Sequence, residues 1–107
     1  MPYQGARWVH GWKERPEPKA NISVSPEPYL DRFIYDTILH SKPVLEFLIQ
    51  QVGGARVLLG SDYPYDMGML DCVRHVLSLS IAAPDRANIL SRQAAALFGL
   101  KRGAARR

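Results

Sequence analysis

After the glycine pair Gly53-Gly54 the sequence reads Ala55-Arg56-Val57-Leu58-Leu59-Gly60-Ser61-Asp62-Tyr63-Pro64, a short apolar run that closes on small and acidic residues. Without a polar residue at every second position, such a run fits a strand buried on both faces, as in parallel sheets covered by helices. Parallel neighbours need a long crossover, so this strand commits the chain to an α/β architecture in which strands and helices alternate. The polar groups of the run gather at its C-terminal end. Pro64 holds Tyr63 in extended geometry and stops the strand there.

The flanking sequence supplies matching elements. Arg32-Phe33-Ile34-Tyr35-Asp36-Thr37 has the aromatic and β-branched content of a second strand. Ser41 as N-cap and Pro43 in the first turn predict a helix whose apolar face is Val44, Leu45, Leu48, Ile49 and Val52, ended by Gly53-Gly54. A helix from about Met69 to Leu79 turns Val73, Val76 and Leu77 inward. Pro84-Asp85 opens a further helical stretch that reaches Ala94 to Phe98, broken near Ser91 and capped by Gly99. Residues 1–28 hold Pro2, Pro16, Pro18, Pro26 and Pro28, and a prolyl nitrogen cannot donate a hydrogen bond, so a loop-rich N-terminal segment is expected, with a short helix starting near Pro26. Residues 29–100 then read as βαβα units and 101–107 as a basic tail.

Composition narrows the partners. The 107 residues carry 14 Lys and Arg against 10 Asp and Glu, but Lys101, Arg102, Arg106 and Arg107 fall in the last seven positions, so the body is neutral. A nucleic-acid surface needs cations along an ordered element interleaved with aromatics, and none is expected here. With 47% hydrophobic and 22% charged residues the chain has globular composition and bounds one domain at most. Cys72 is the only cysteine, which excludes an intrachain disulfide and a cysteine zinc cluster. With no apolar run of membrane-spanning length and no leader-like start, a cytoplasmic chain without a membrane partner is expected.

Asp62 carries the clearest chemical signal. In parallel α/β folds the catalytic groups stand at the carboxyl ends of strands, and a carboxylate is a hard oxygen donor suited to a divalent ion. The same residue also suits a plain turn or helix cap. Arg7 and Arg15, beside Trp8, His10 and Trp12, offer planar forks for carboxylates, and equally fit ordinary solvated arginines. His10, His40 and His75 lack the H-x-H or H-E-x-x-H spacing of a zinc site. His75 reads as a helix-face residue, and His40, near a strand end, as pocket support or plain structure. Nothing adjacent activates Cys72, and no phosphate-binding glycine loop or nucleophile elbow is present.

Four stretches in order carry a resemblance: Pro2-Tyr3 through Arg7, His10-Gly11 and Arg15-Pro16; Phe33 through His40; Arg56 through Pro64; and Ala94 through Leu100. Together they resemble the C-terminal part of the metal-dependent amidohydrolase superfamily, in the branch of the aminocarboxymuconate-semialdehyde decarboxylases. The resemblance implies the last two β/α units of a (β/α)8 TIM-type barrel, incomplete on its own, in a homodimeric enzyme with one divalent metal, usually zinc, performing nonoxidative decarboxylation of a small carboxylic acid. It implies Asp62 as metal ligand and proton-handling residue at the end of the eighth strand, and Arg7 and Arg15 as substrate-carboxylate binders.

The family's H-x-H pair, its third histidine ligand and the histidine of its H-G-G-G stretch would precede Met1. One carboxylate does not hold a catalytic zinc, which takes about three protein ligands, so the isolated chain is expected to be inactive unless an N-terminal half of the barrel joins it. Two further readings stay open: a metal-dependent amidohydrolase or lactonase-type hydrolase, and a noncatalytic interaction remnant. All rest on Asp62 projecting from a strand laid beside Phe33 to Asp36 rather than into bulk solvent.

Overall fold

The computed structural model describes residues 1–101, so of the predicted basic tail only Lys101 is seen and the remainder lies outside the described residues. The chain divides into two compact units, Met1–Phe33 and the segment from Ile34 onward.

The first unit corrects the loop-rich reading of residues 1–28. It holds α1 (Gly5–Glu14) and α2 (Pro16–Asn21), where loop was expected, and α3 (Glu27–Leu30), the short helix expected near Pro26. The prolines do not forbid them because Pro16 and Pro28 stand at first-turn positions, where the missing N–H has no partner to lose. Pro16 does end α1, since it holds Arg15 extended at φ −119° and ψ 143°. Val9 is the one buried side chain of this unit. The α1–α2 corner is tied by Trp12, whose indole N–H donates to Ile22 O at 2.9 Å. Lys19 lies over the Trp12 ring, 5.4 Å from its centroid, and donates to Lys13 O at 2.8 Å.

The second unit follows the expected order. Strand β1 (Tyr35–Asp36) leads into α4 (Lys42–Val52), which crosses over to β2 (Val57–Leu58). The strands pair in parallel, Tyr35 opposite Val57 and Asp36 opposite Leu58. Helices α5 (Cys72–Leu77), α6 (Ala83–Ala87) and α7 (Gln93–Leu97) follow.

The strands are shorter than predicted, and the reason lies in where the next groups bond. The buried Thr37 hydroxyl accepts from Gly60 N–H at 3.2 Å and donates to Gly60 O at 3.4 Å, so a side chain continues the ladder in place of backbone. Leu59 N–H turns the other way and donates to Ile89 O at 3.2 Å.

The core of this unit is Leu45, Leu48 and Ile49 of α4, Val57 of β2, Val76 and Leu79 from α5 and just beyond it, and Ile89. Each fully buried aliphatic side chain contributes about 1.5–3 kcal/mol. Three predicted inward residues are exposed: Val44, Val73 and Leu77. Helix α5 starts at Cys72 rather than Met69 and has six residues, so it presents less than two turns to the core and only Val76 is buried. Between α6 and α7 the backbone makes a π-turn over Asn88–Arg92, at the break expected near Ser91. Gly99, at φ +63°, ends α7 as expected, with Leu100 N–H donating to Ala95 O at 2.8 Å in a Schellman closure. Among the described residues no helix is long and apolar enough to cross a membrane.

Candidate functional site at the strand ends

Alternation along the paired strands sends Tyr35, Thr37 and Val57 toward the helices and Asp36, Ile38 and Leu58 to the opposite face. Gly60 keeps that face open beside β1. A Cβ there would stand 3.2 Å from Ile38 Cδ1 and 3.4 Å from Asp36 Cβ, so the missing side chain leaves room for both of these side chains. The result is a cleft of about 240 Å³ lined by Asp36, Ile38, His40, Asp62 and Met67.

Asp62 belongs to this cleft, but not as the last residue of a strand. Pairing stops at Leu58, and the Asp62 side chain is exposed on the loop that follows, so the expectation that it projects from a strand and away from solvent fails; what holds is that Asp62 lines the cleft with Asp36 and His40. That loop is tightly closed. Ser61 O accepts from Met69 N–H at 2.8 Å, and inside this ring Tyr65 N–H donates to Asp62 O at 2.9 Å and Gly68 N–H to Tyr65 O at 3.0 Å. The Tyr63–Pro64 peptide within it is cis. Asp62 sits at φ +55° and His40, in the link between β1 and α4, at φ +51°, both in the left-handed region that side chains other than Asn and Asp seldom enter. The two are linked through the loop: His40 Nε2 lies 2.6 Å from Met67 O. Asp36 is also fixed, its Oδ1 accepting Ile38 N–H at 3.0 Å.

Arg7 is exposed on α1 and Arg15 is exposed between α1 and α2, both in the first unit. His10 is exposed on α1. His75 is half-buried on α5, its Nε2 buried without a hydrogen-bond partner. Cys72 is half-buried at the start of α5. Sequence reasoning missed Asp36, Ile38 and Met67 as cleft residues. The rule that singled out Asp62, an acid at the carboxyl end of a parallel strand, applies equally to Asp36.

A zinc site needs about three convergent protein ligands. Here Asp36 Oδ1 and His40 Nε2 already hold backbone partners, and among the described residues no group of three or more His, Cys, Asp and Glu is placed to hold a metal ion. Asp62 supplies one hard oxygen donor, so by themselves these residues do not fit a catalytic zinc.

No family model matches the chain. Two curated relatives do, both named 2-amino-3-carboxymuconate-6-semialdehyde decarboxylase. The Dictyostelium discoideum protein is 34% identical over 71 residues, 65% of this chain and 20% of its own length. The Caenorhabditis elegans protein is 34% identical over 97 residues, 88% of this chain and 24% of its own length. The chain thus spans about a quarter of these relatives or less. Among solved structures, the 5-carboxyvanillate decarboxylase LigW from Sphingomonas paucimobilis superposes with a TM-score of 0.72 at 20% identity, over 94% of this chain and 31% of that one. That likeness shows a fold shared with part of a TIM-barrel protein, in keeping with the parallel β1–α4–β2 unit. On the two sequence matches, the chain is homologous to part of the 2-amino-3-carboxymuconate-6-semialdehyde decarboxylases, which are amidohydrolase-superfamily proteins.

Proposed function

We propose that this chain is the portion of a metal-dependent nonoxidative decarboxylase that carries one metal-binding carboxylate, Asp62, and two substrate-binding arginines, Arg7 and Arg15. The observation that carries the reading is the placement of Asp62 beside Asp36 and His40 in a cleft at the carboxyl ends of two parallel strands, in a chain matched by decarboxylases. Catalytic groups of barrel enzymes gather at that end. In this reading β1–α4 and β2 with the helices after it are the last two β/α units of the barrel, zinc is the ion, and its other ligands come from the preceding units. The substrate is a small carboxylated muconate-like or aromatic acid, which Arg7 and Arg15 recognise through their planar forks. A homodimer, with one arginine reaching the partner's site, is the expected assembly. The chain alone is inactive, because one carboxylate leaves zinc short of ligands.

The test is reconstitution. The chain is co-expressed with the preceding portion of the Dictyostelium discoideum relative, supplied with zinc, and loss of the muconate semialdehyde is followed by absorbance. Activity is expected in the complex and not in either piece. Asp62→Asn lowers it at least about a hundredfold, since even loss of a group that supports a metal ligand costs about 10–100-fold. A folded, zinc-loaded complex that is inert, or one indifferent to Asp62→Asn, overturns the reading. Turnover of a lactone or amide in place of the acid identifies a hydrolase, and a stable metal-free oligomer a noncatalytic module.

A further inference from the structure

We propose that His40 is a positioning residue for Asp62: its imidazole N–H, donated to Met67 O, fastens the loop after β2 to the link between β1 and α4 and sets where the Asp62 carboxylate stands in the cleft. The inference deepens the preceding reading and rests on it for the use made of Asp62; the fastening itself rests on geometry alone.

Three observations converge. First, Met67 O can only accept, so at 2.6 Å the Nε2 of His40 carries the proton of this bond. Second, His40 and Asp62 are the only non-glycine residues at positive φ among the described residues, and they stand at the ends of adjacent segments facing one cleft. For His40 such a conformation costs about 1–3 kcal/mol and persists where surrounding contacts over-determine it. Third, the bonds from Met69 to Ser61 and from Tyr65 to Asp62 hold the loop to itself. The Thr37–Gly60 pair anchors the chain just before the loop, and the His40–Met67 bond fastens the loop's other arm to the link between β1 and α4. Since Asp62 lies between these two anchors, releasing the second frees the loop that carries its carboxylate.

A residue kept for its backbone conformation and a residue kept for its reach predict opposite outcomes for two substitutions. Asn enters the left-handed region readily but is too short to reach Met67 O; Gln is less suited to that backbone, yet its amide nitrogen stands where Nε2 stands. Nuclear magnetic resonance on the isotopically labelled chain reads the imidazole nitrogen shifts, the Asp62 carboxylate carbon and amide exchange at Tyr65, Gly68 and Met69. The expected results are an Nε2–H tautomer for His40 in the unmodified chain, and in His40→Asn a displaced Asp62 carboxylate carbon with loop amides exchanging about tenfold faster, the scale of one lost hydrogen bond. His40→Gln matches the unmodified chain in both. An Nδ1–H tautomer, an unmoved Asp62 signal in His40→Asn, or a His40→Gln chain that behaves as His40→Asn overturns the proposal. None of these readouts involves metal or substrate, so a failed reconstitution leaves them intact and their failure leaves the decarboxylase reading standing.

Discussion

Replacing Gly68 with alanine attacks the loop that carries Asp62 at its tightest point. A Cβ at position 68 would lie 2.7 Å from Ser61 O, 2.9 Å from Tyr65 O and 3.1 Å from Asp62 O. All three are backbone oxygens, which cannot swing aside as the tip of a long side chain does. The chain has two ways to accommodate the methyl group. Keeping the loop closed means overpacking, typically about 1–3 kcal/mol. Opening it gives up the Met69–Ser61 and Gly68–Tyr65 hydrogen bonds to water, at about 0.5–1.5 kcal/mol each. The loop takes the cheaper route, so Gly68→Ala destabilises by about 1–3 kcal/mol. With a urea dependence of about 1–3 kcal/mol per molar, that lowers the unfolding midpoint by about 1 M. Gly11→Ala is the control. It sits within α1 with nothing within 4 Å of the new Cβ, and should stabilise by about 0.5–1 kcal/mol. Equilibrium urea unfolding, with amide exchange at Met69 read alongside, measures both. A Gly68→Ala chain that unfolds at the unmodified midpoint with its Met69 amide still protected would refute the loop geometry.

Leu45→Ala removes a fully buried side chain from the centre of the second unit and should cost about 2–5 kcal/mol in the same unfolding experiment. Thr37→Val keeps the shape but strips Gly60 N–H and C=O of their shared partner, for about 1–3 kcal/mol, whereas Thr37→Ser should retain most of it. In the reconstituted enzyme, Arg7→Ala and Arg15→Ala should each raise KM about tenfold or more, because a charge-assisted bond to a carboxylate is worth about 1.5–3 kcal/mol. An unchanged KM in both points to a neutral substrate.

Much of the second unit was legible because its residues obey local rules. Pro43 stands in the first turn of α4 and Ser41 holds its N-cap position, though without a side-chain capping bond; Gly53 closes the helix at φ +83°, and its buried Leu45, Leu48 and Ile49 follow helical spacing. The helices of residues 1–28 were not legible from a proline count, since the count ignores position. Tyr3 through Arg15 is free of proline, and Pro16 marks where one helix stops and the next begins. Strand length was overestimated because apolar content records burial, not pairing: Leu59 is packed against the core, yet its N–H goes to a helix. Of the site, Asp62 was legible from the strand-end rule. His40 could be located near the strand end but not given a role, since its partner is a backbone carbonyl 27 residues away, and backbone atoms leave no mark in composition or spacing.

The π-turn at Asn88–Arg92 holds one residue more per hydrogen-bonded ring than an α-helix would, and from within it Ile89 lends its carbonyl to Leu59. A helix wound regularly through this point would recapture that oxygen for its own ladder. Deleting a single residue here would therefore do more than shorten a helix: it would rotate everything downstream by about 100°, one residue's share of a helical turn, and unhook the sheet from the layer that backs it. The irregularity acts as a splice between helix and strand, and the number of residues between Ala83 and Leu97 is fixed by it.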